Sequence, residues 1–155
     1  MKQLINWPRE SYMNVYVCAE AAGAAGYTNY PSEWGANTDG IVLKHSYVGS
    51  IGTSNPYRSR TLTHECGHWL NLPHTWGSSN SPNEPDNCDV DDGVEDTPLC
   101  LGSPVGLCDL ERTTCGSLDN VQNYMDYSYC SRMYTLGQRA RMRAALNSGV
   151  ADRNQ

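Results

Sequence analysis

The chain has 155 residues, a length that suits one domain with a sizeable core. Its net charge of -6 offers no basic field to hold nucleic acid or anionic lipid, and no run approaches the ~20 apolar residues of a membrane span. The acids gather between Glu84 and Asp96, which reads either as a local cation site or as a solvated acidic loop.

Residues 12–18 alternate Met13, Val15 and Val17 against Asn14 and Tyr16 and predict a strand. Residues 19–39 carry Gly, Ala, Asn and Pro without a sustained period and read as loop. A second strand is expected over 40–48, and a loop over 49–58. Over 60–71 the spacing of Leu62, Cys66, Trp69 and Leu70 gives one apolar helix face. Ser59 or Thr61 is expected to cap its start, and Pro73 prevents its continuation. From 75 to 120 no period persists; an irregular stretch of that length implies function or cross-links. Thr135 and Gln138 have capping-box spacing ahead of good helix formers, so a closing helix is expected at 136–147.

Five of the seven cysteines, Cys88, Cys100, Cys108, Cys115 and Cys130, fall between 88 and 130, in a stretch rich in Gly, Pro, Asn and Asp; Cys18 and Cys66 precede it. No C-x-x-C pair occurs, which disfavours a zinc ribbon or a thioredoxin-like motif. The pattern reads as a disulfide framework and hence an oxidising, extracellular setting, with the odd count leaving at least one free thiol. Residues 1–7 hold no secretory signal core, so the chain reads as a processed or trimmed piece.

Three of the four histidines sit in the segment His64-Glu65-Cys66-Gly67-His68-Trp69-Leu70-Asn71-Leu72-Pro73-His74. On a helix, His64 and His68 stand one turn apart on a shared face, opposite the apolar one, and can chelate one ion. His74 follows the break at Asn71 to Pro73, where the chain can turn back to supply a third imidazole. Three nitrogens leave one tetrahedral position open, which is the catalytic arrangement of zinc. Glu65, beside the first ligand, is placed to act as general base without ligating the metal. His45 is assigned no role.

The segment resembles the extended zinc signature of metzincins. Asn123-Tyr124-Met125-Asp126-Tyr127-Ser128 is similar to the Met-turn of that clan, and specifically of the pappalysin family, in its bacterial or fungal secreted form. The tracts 92–98 and 136–142 are similar to that family as well, and the resemblance runs from about 12 to 143. It implies an α+β, zincin-like fold: a small mixed sheet with the zinc helix, an irregular disulfide-bonded C-terminal lobe and a closing helix. The upper part would span about 1–74 and the lower about 75–155. It implies Met125 as a hydrophobic floor under the metal and Tyr127 as an oxyanion donor. It implies calcium in the acidic loop, with Asp92 and Thr97 matching ligand positions best and Asp89, Asp91 and Asp96 as neighbours. It also implies the disulfides Cys88–Cys115 and Cys108–Cys130. Cys66 reads as a buried free thiol; Cys18 and Cys100 stay unassigned.

Three departures from the family pattern stand out. Asn71 replaces the usual glycine at a left-handed position, where asparagine is the least costly substitute. Tyr129 stands where relatives that cleave beside arginine carry an acid, which argues against a strict preference for basic residues. Only eleven residues precede the first strand, so the chain is either an N-terminal truncation or a minimal fold. The expectation is a monomeric, secreted zinc endopeptidase acting on proteins or peptides, with no nucleic-acid or membrane partner. The competing readings are a non-catalytic, metal-stabilised binding module and a zinc hydrolase of another amide.

Overall fold

The computed structural model describes Lys2, residues 4–32 and residues 38–149. It divides into two compact units, one of residues 1–71 and 142–155, the other Leu72–Arg141.

The first unit holds a three-stranded sheet in the order β1-β3-β2. Strand β1 (Val15–Cys18) runs parallel to β3 (Ile41–Lys44), with Val15 opposite Ile41 and Cys18 opposite Lys44. Strand β2 (Gly26–Tyr27) pairs antiparallel on the other edge of β3. β3 is thus central, and its continuous run Ile41-Val42-Leu43 is buried, as a strand flanked on both edges requires. β1 is an edge strand, and its Val15 and Val17 are exposed.

The sheet corrects the sequence reading at three points. β1 is shorter than 12–18 and starts at Val15; the preceding Asn14 clamps Trp7 with its side chain, accepting from Trp7 N at 3.0 Å and donating to Trp7 O at 2.8 Å. β3 stops at Lys44, where its ladder with β1 ends; His45–Tyr47 form a 3-10 turn, so His45 is not on a strand. β2 lies inside the stretch read as loop, because a two-residue strand held by tertiary pairing has no period to detect.

Helix α1 (Thr61–Trp69) and its C-cap Leu70 pack the predicted apolar face against Ile41 and Leu43, with Trp69 buried and Leu62, Cys66 and Leu70 partly so. Trp69 Nε1 reaches Asp39 Oδ1 at 3.1 Å, which satisfies an indole donor inside the core. The cap expectation fails: Arg60 stands at the N-cap without a side-chain bond. The hydroxyls expected there turn backward as donors, Ser59 Oγ to Pro56 O at 2.7 Å and Thr61 Oγ1 to Arg58 O at 2.9 Å. Asn71 ends the helix at φ 72°, the left-handed conformation glycine would take, and its N–H donates to His68 O at 2.9 Å. Cys66 is only half-buried, with Sγ 3.7 Å from Met13 Sδ, which corrects the buried thiol expected from the helix face.

The second unit contains little regular structure. A 3-10 turn spans Pro85–Asp89, and a short hairpin joins β4 (Thr113–Thr114) to β5 (Ser117–Leu118), both inside the stretch read as featureless. Cys115 (φ 49°) and Gly116 (φ 86°) form its two-residue turn with the positive dihedrals a type I′ turn demands. Asp119 secures the hairpin, accepting from Thr114 N at 2.9 Å and pairing with Arg112 Nε at 3.1 Å. Disulfides join Cys88 to Cys115 and Cys108 to Cys130, with Cα separations of 5.4 and 5.5 Å. Cys18, Cys66 and Cys100 are free.

Helix α2 (Leu136–Asn147) begins with a reciprocal capping box. Gln138 N donates to Thr135 Oγ1 at 3.1 Å, and Thr135 N donates to Gln138 Oε1 at 3.0 Å.

Candidate metal centre

The segment from His64 to His74 brings three imidazoles together. One ligand-capable nitrogen from each of His64, His68 and His74 lies within 4.8 Å of the others, and no other such cluster of His, Cys, Asp or Glu occurs among the described residues. The cause is local. One helical turn stacks the His64 and His68 rings edge to face with centroids 4.7 Å apart, and the left-handed Asn71 turns the chain toward His74.

Second contacts orient two of these rings. His74 Nδ1 donates to Ser79 O at 2.8 Å, which places its proton there and leaves Nε2 unprotonated. His68 Nδ1 lies 3.2 Å from the Tyr30 hydroxyl. His74 also stacks on Trp76, centroids 4.4 Å apart and 4° from parallel. Trp76 is fully buried and donates from Nε1 to the same Ser79 carbonyl at 2.9 Å. Three nitrogens, two of them on buried residues with their other ring nitrogen engaged, suit a borderline-soft divalent ion.

Glu65 is 6 % exposed, and burial pushes its carboxyl up to about 7. A Cβ on Gly26 in β2 would lie 2.7 Å from Leu43 Cδ2, 3.0 Å from Val42 O and 3.3 Å from Glu65 Cγ, so only the bare glycine fits between β3 and the glutamate stem.

Within the second unit, Met125 is fully buried and its turn is built by side chains. Asn123 Oδ1 accepts from Met125 N at 2.9 Å, and Asn123 and Gln138 exchange two amide bonds of 2.9 and 3.1 Å. Asp126, nearly fully buried, accepts from Ser128 N at 2.8 Å, Ser103 N at 3.1 Å and Thr75 Oγ1 at 3.5 Å. Burial raises the Asp126 carboxyl above the usual range, opposed by these bonds. Tyr127 sets its ring edge-on to both His74 and Trp76, each at 4.9 Å.

In the acidic loop, Asp92 and Thr97 are buried and joined, Thr97 Oγ1 donating to Asp92 Oδ1 at 2.7 Å. Asp92 Oδ2 is buried without a hydrogen-bond partner, and desolvation lifts the carboxyl to about 6. Asp89 and Asp91 are exposed. Asp96 faces the start of α2, where Gly137 N donates to it at 2.9 Å, and the Thr135 hydroxyl helps hold it below the usual carboxylate range.

Sequence reasoning missed Tyr30, Trp76, Asp126 and Gly26 as parts of this architecture. Asp126 lay inside a quoted motif, and Trp76 lay two residues past the last histidine; their roles come from contacts that no local pattern encodes.

Known proteins resemble this chain in sequence and fold. The family model described as Pregnancy-associated plasma protein-A, a peptidase family, matches residues 2–147. The Extracellular metalloprotease of Verticillium alfalfae is 33 % identical over 94 % of this chain and 53 % of its own length. Extracellular metalloprotease 1 of Coccidioides posadasii is 37 % identical over 92 % of this chain and 52 % of its own. Mature mirolysin of Tannerella forsythia in complex with a cleaved peptide superposes with a TM-score of 0.78 at 32 % identity, covering 96 % of this chain and 57 % of that one. Mirolysin with a bound compound gives 0.80 at 34 %, covering 96 % and 57 %. The chain therefore spans about half the length of the relatives it matches. With the family match over nearly its whole length and the metzincin-like fold shared with mirolysin, this chain belongs to the pappalysin family of metallopeptidases.

Proposed function

We propose that this chain is the catalytic domain of a secreted zinc endopeptidase that hydrolyses peptide bonds in proteins or peptides. The observation that carries the reading is the convergence of His64, His68 and His74 beside a buried Glu65 on one helix. The relatives named extracellular metalloproteases support secretion, as does the pair of disulfides. The cleaved peptide in mirolysin supports a peptide substrate.

His64, His68 and His74 hold the ion. Zinc, when bound there, supplies Lewis acidity, polarising a carbonyl and acidifying water. Glu65 acts as general base: its carboxylate takes the proton of the attacking water and delivers it to the departing amine nitrogen. Burial alone lifts that carboxyl to about 7, and a bound dication would draw it back toward the ionised form the base needs. Tyr127, edge-on to His74, donates a hydrogen bond from its phenol to the oxyanion that develops on the substrate carbonyl. Met125 closes the site from below as an inert, fully buried side chain. Asp92 and Thr97 hold calcium; the unpartnered, buried Asp92 Oδ2 is the acceptor a hard cation satisfies.

The test is cleavage of an unstructured protein such as casein by parent and Glu65→Gln, each assayed with and without chelator, alongside metal analysis. The expected result is that the variant retains one zinc per chain and loses about 100-fold or more of the chelator-sensitive rate. Equal rates in the two proteins would replace the enzyme reading with a metal-stabilised binding module.

A further inference from the structure

We propose that Tyr30 is a positioning residue that aims His68 at the metal; the proposal rests on the metal reading above. The two oriented ligands are held by different means. His74 is fixed by the Ser79 main-chain carbonyl, which no side-chain substitution removes. His68 is fixed by a phenol, with Nδ1 3.2 Å from the Tyr30 hydroxyl and the rings edge to face at 5.4 Å.

A neutral imidazole can place its proton on either nitrogen, and only one choice leaves the metal-facing lone pair free. With Nδ1–H donating to the Tyr30 oxygen, His68 keeps Nε2 for the ion. The segment carrying Tyr30 is itself anchored. It follows directly on β2, Thr28 Oγ1 donates to Gly40 O at 3.2 Å, and Asn29 Nδ2 donates to Thr38 O at 2.9 Å. Pro31 disfavours helical backbone at Tyr30 itself. The phenol therefore arrives on a held loop, while Tyr30 as a residue remains 41 % exposed, so loss of its hydroxyl opens no core cavity.

The experiment compares parent, Tyr30→Phe, His68→Ala and the double variant. Phenylalanine keeps the ring against His68 and deletes only the hydroxyl. Co2+ affinity is read by chelator competition, the visible Co2+ bands report ligand geometry, and the thermal midpoint of metal-free protein reports folding. Tyr30→Phe is expected to weaken Co2+ binding ~10–100-fold and alter the visible bands at an unchanged metal-free midpoint. It is expected to add nothing in the His68→Ala background. An affinity within twofold of the parent overturns the assignment, as does an equal loss without His68, since the phenol then acts by another route. A parent that binds no Co2+ sinks the metal reading and this assignment with it.

Discussion

Replacing Gln138 by alanine should cost far more than an ordinary helix-terminal substitution. Its side chain is fully buried and serves two structures at once. Oε1 accepts from Thr135 N at 3.0 Å, completing the capping box of α2, and from Asn123 Nδ2 at 2.9 Å; Nε2 donates to Asn123 Oδ1 at 3.1 Å. Alanine removes all three bonds, at ~1 kcal/mol each, and leaves a buried Asn123 amide donor without its partner, at ~1–3 kcal/mol. The expected loss is about 4 kcal/mol, equivalent to a fall in Tm of ~10 °C or more for a chain of this size. The assay is thermal or urea unfolding of metal-free protein with disulfides intact, followed by near-ultraviolet circular dichroism, for Gln138→Ala, Asn123→Ala and the double variant. The two single losses should overlap, with a coupling above ~1.5 kcal/mol, because both delete the same amide pair. A Gln138→Ala loss below ~1 kcal/mol, or strictly additive losses, would refute the idea that this pair ties the Met125 turn to the closing helix.

The acidic loop gives a pH prediction. Burial raises the Asp92 carboxyl from its ordinary 3.8 to about 6, so the folded state holds that proton more tightly than the unfolded chain does. In chelator, stability contributed by protonated Asp92 is present below pH 3.8 and is lost as pH rises through about 6. Asp92→Asn should lack this part of the slope, and calcium at neutral pH should raise the melting temperature of the parent only; superimposable profiles count against the site. At Gly102, with φ 77°, an added Cβ would lie 2.3 Å from the Trp76 ring. Gly102→Ala is therefore expected to destabilise by at least ~2 kcal/mol, to change tryptophan fluorescence and to weaken metal binding through the His74 stack; a native-like melt with parental metal affinity contradicts the packing. Thiol titration in denaturant should find three free cysteines before reduction and seven after. Opening either disulfide should cost ~3.5 kcal/mol by loop entropy, and a reduced protein as stable as the oxidised one rules that mechanism out.

What the sequence disclosed and what it hid divide by the range of the interactions. The face of α1 was readable because Leu62, Cys66, Trp69 and Leu70 obey a helical period and meet a continuous apolar strand, Ile41 to Leu43. The start of α2 was readable because a capping box is a three-residue signal. The histidine cluster was readable for the same reason: one helical turn and one left-handed residue bring the three rings together. β2 was hidden because Gly26 and Tyr27 are strand only through Leu43 and Val42. The cap of α1 was misjudged because Ser59 and Thr61 had nearer acceptors, in Pro56 and Arg58. Tyr30 was hidden because its contact with His68 crosses 38 residues and it is one of ten tyrosines.

The second unit raises a sharper question, since a stretch with so few ladder bonds still builds a defined surround for His74. Main-chain groups that no helix or sheet satisfies must find partners elsewhere, and here single buried side chains supply several at once. The Asp126 carboxylate gathers N–H or O–H donors from Thr75, Ser103 and Ser128. The Asn87 amide donates to the carbonyls of Ser81 and Leu101, and Asp119 accepts from both the N–H and the hydroxyl of Thr114. Each is a polar group whose burial is costly alone and becomes tolerable only when all its partners are in place. That dependence makes the segment cooperative without regular structure. It also explains why the Trp76 ring, with Ser79 and Gly102 shaped around it, can hold His74 by stacking: the loops that form its socket are cross-linked through buried polar groups and two disulfides rather than through secondary structure.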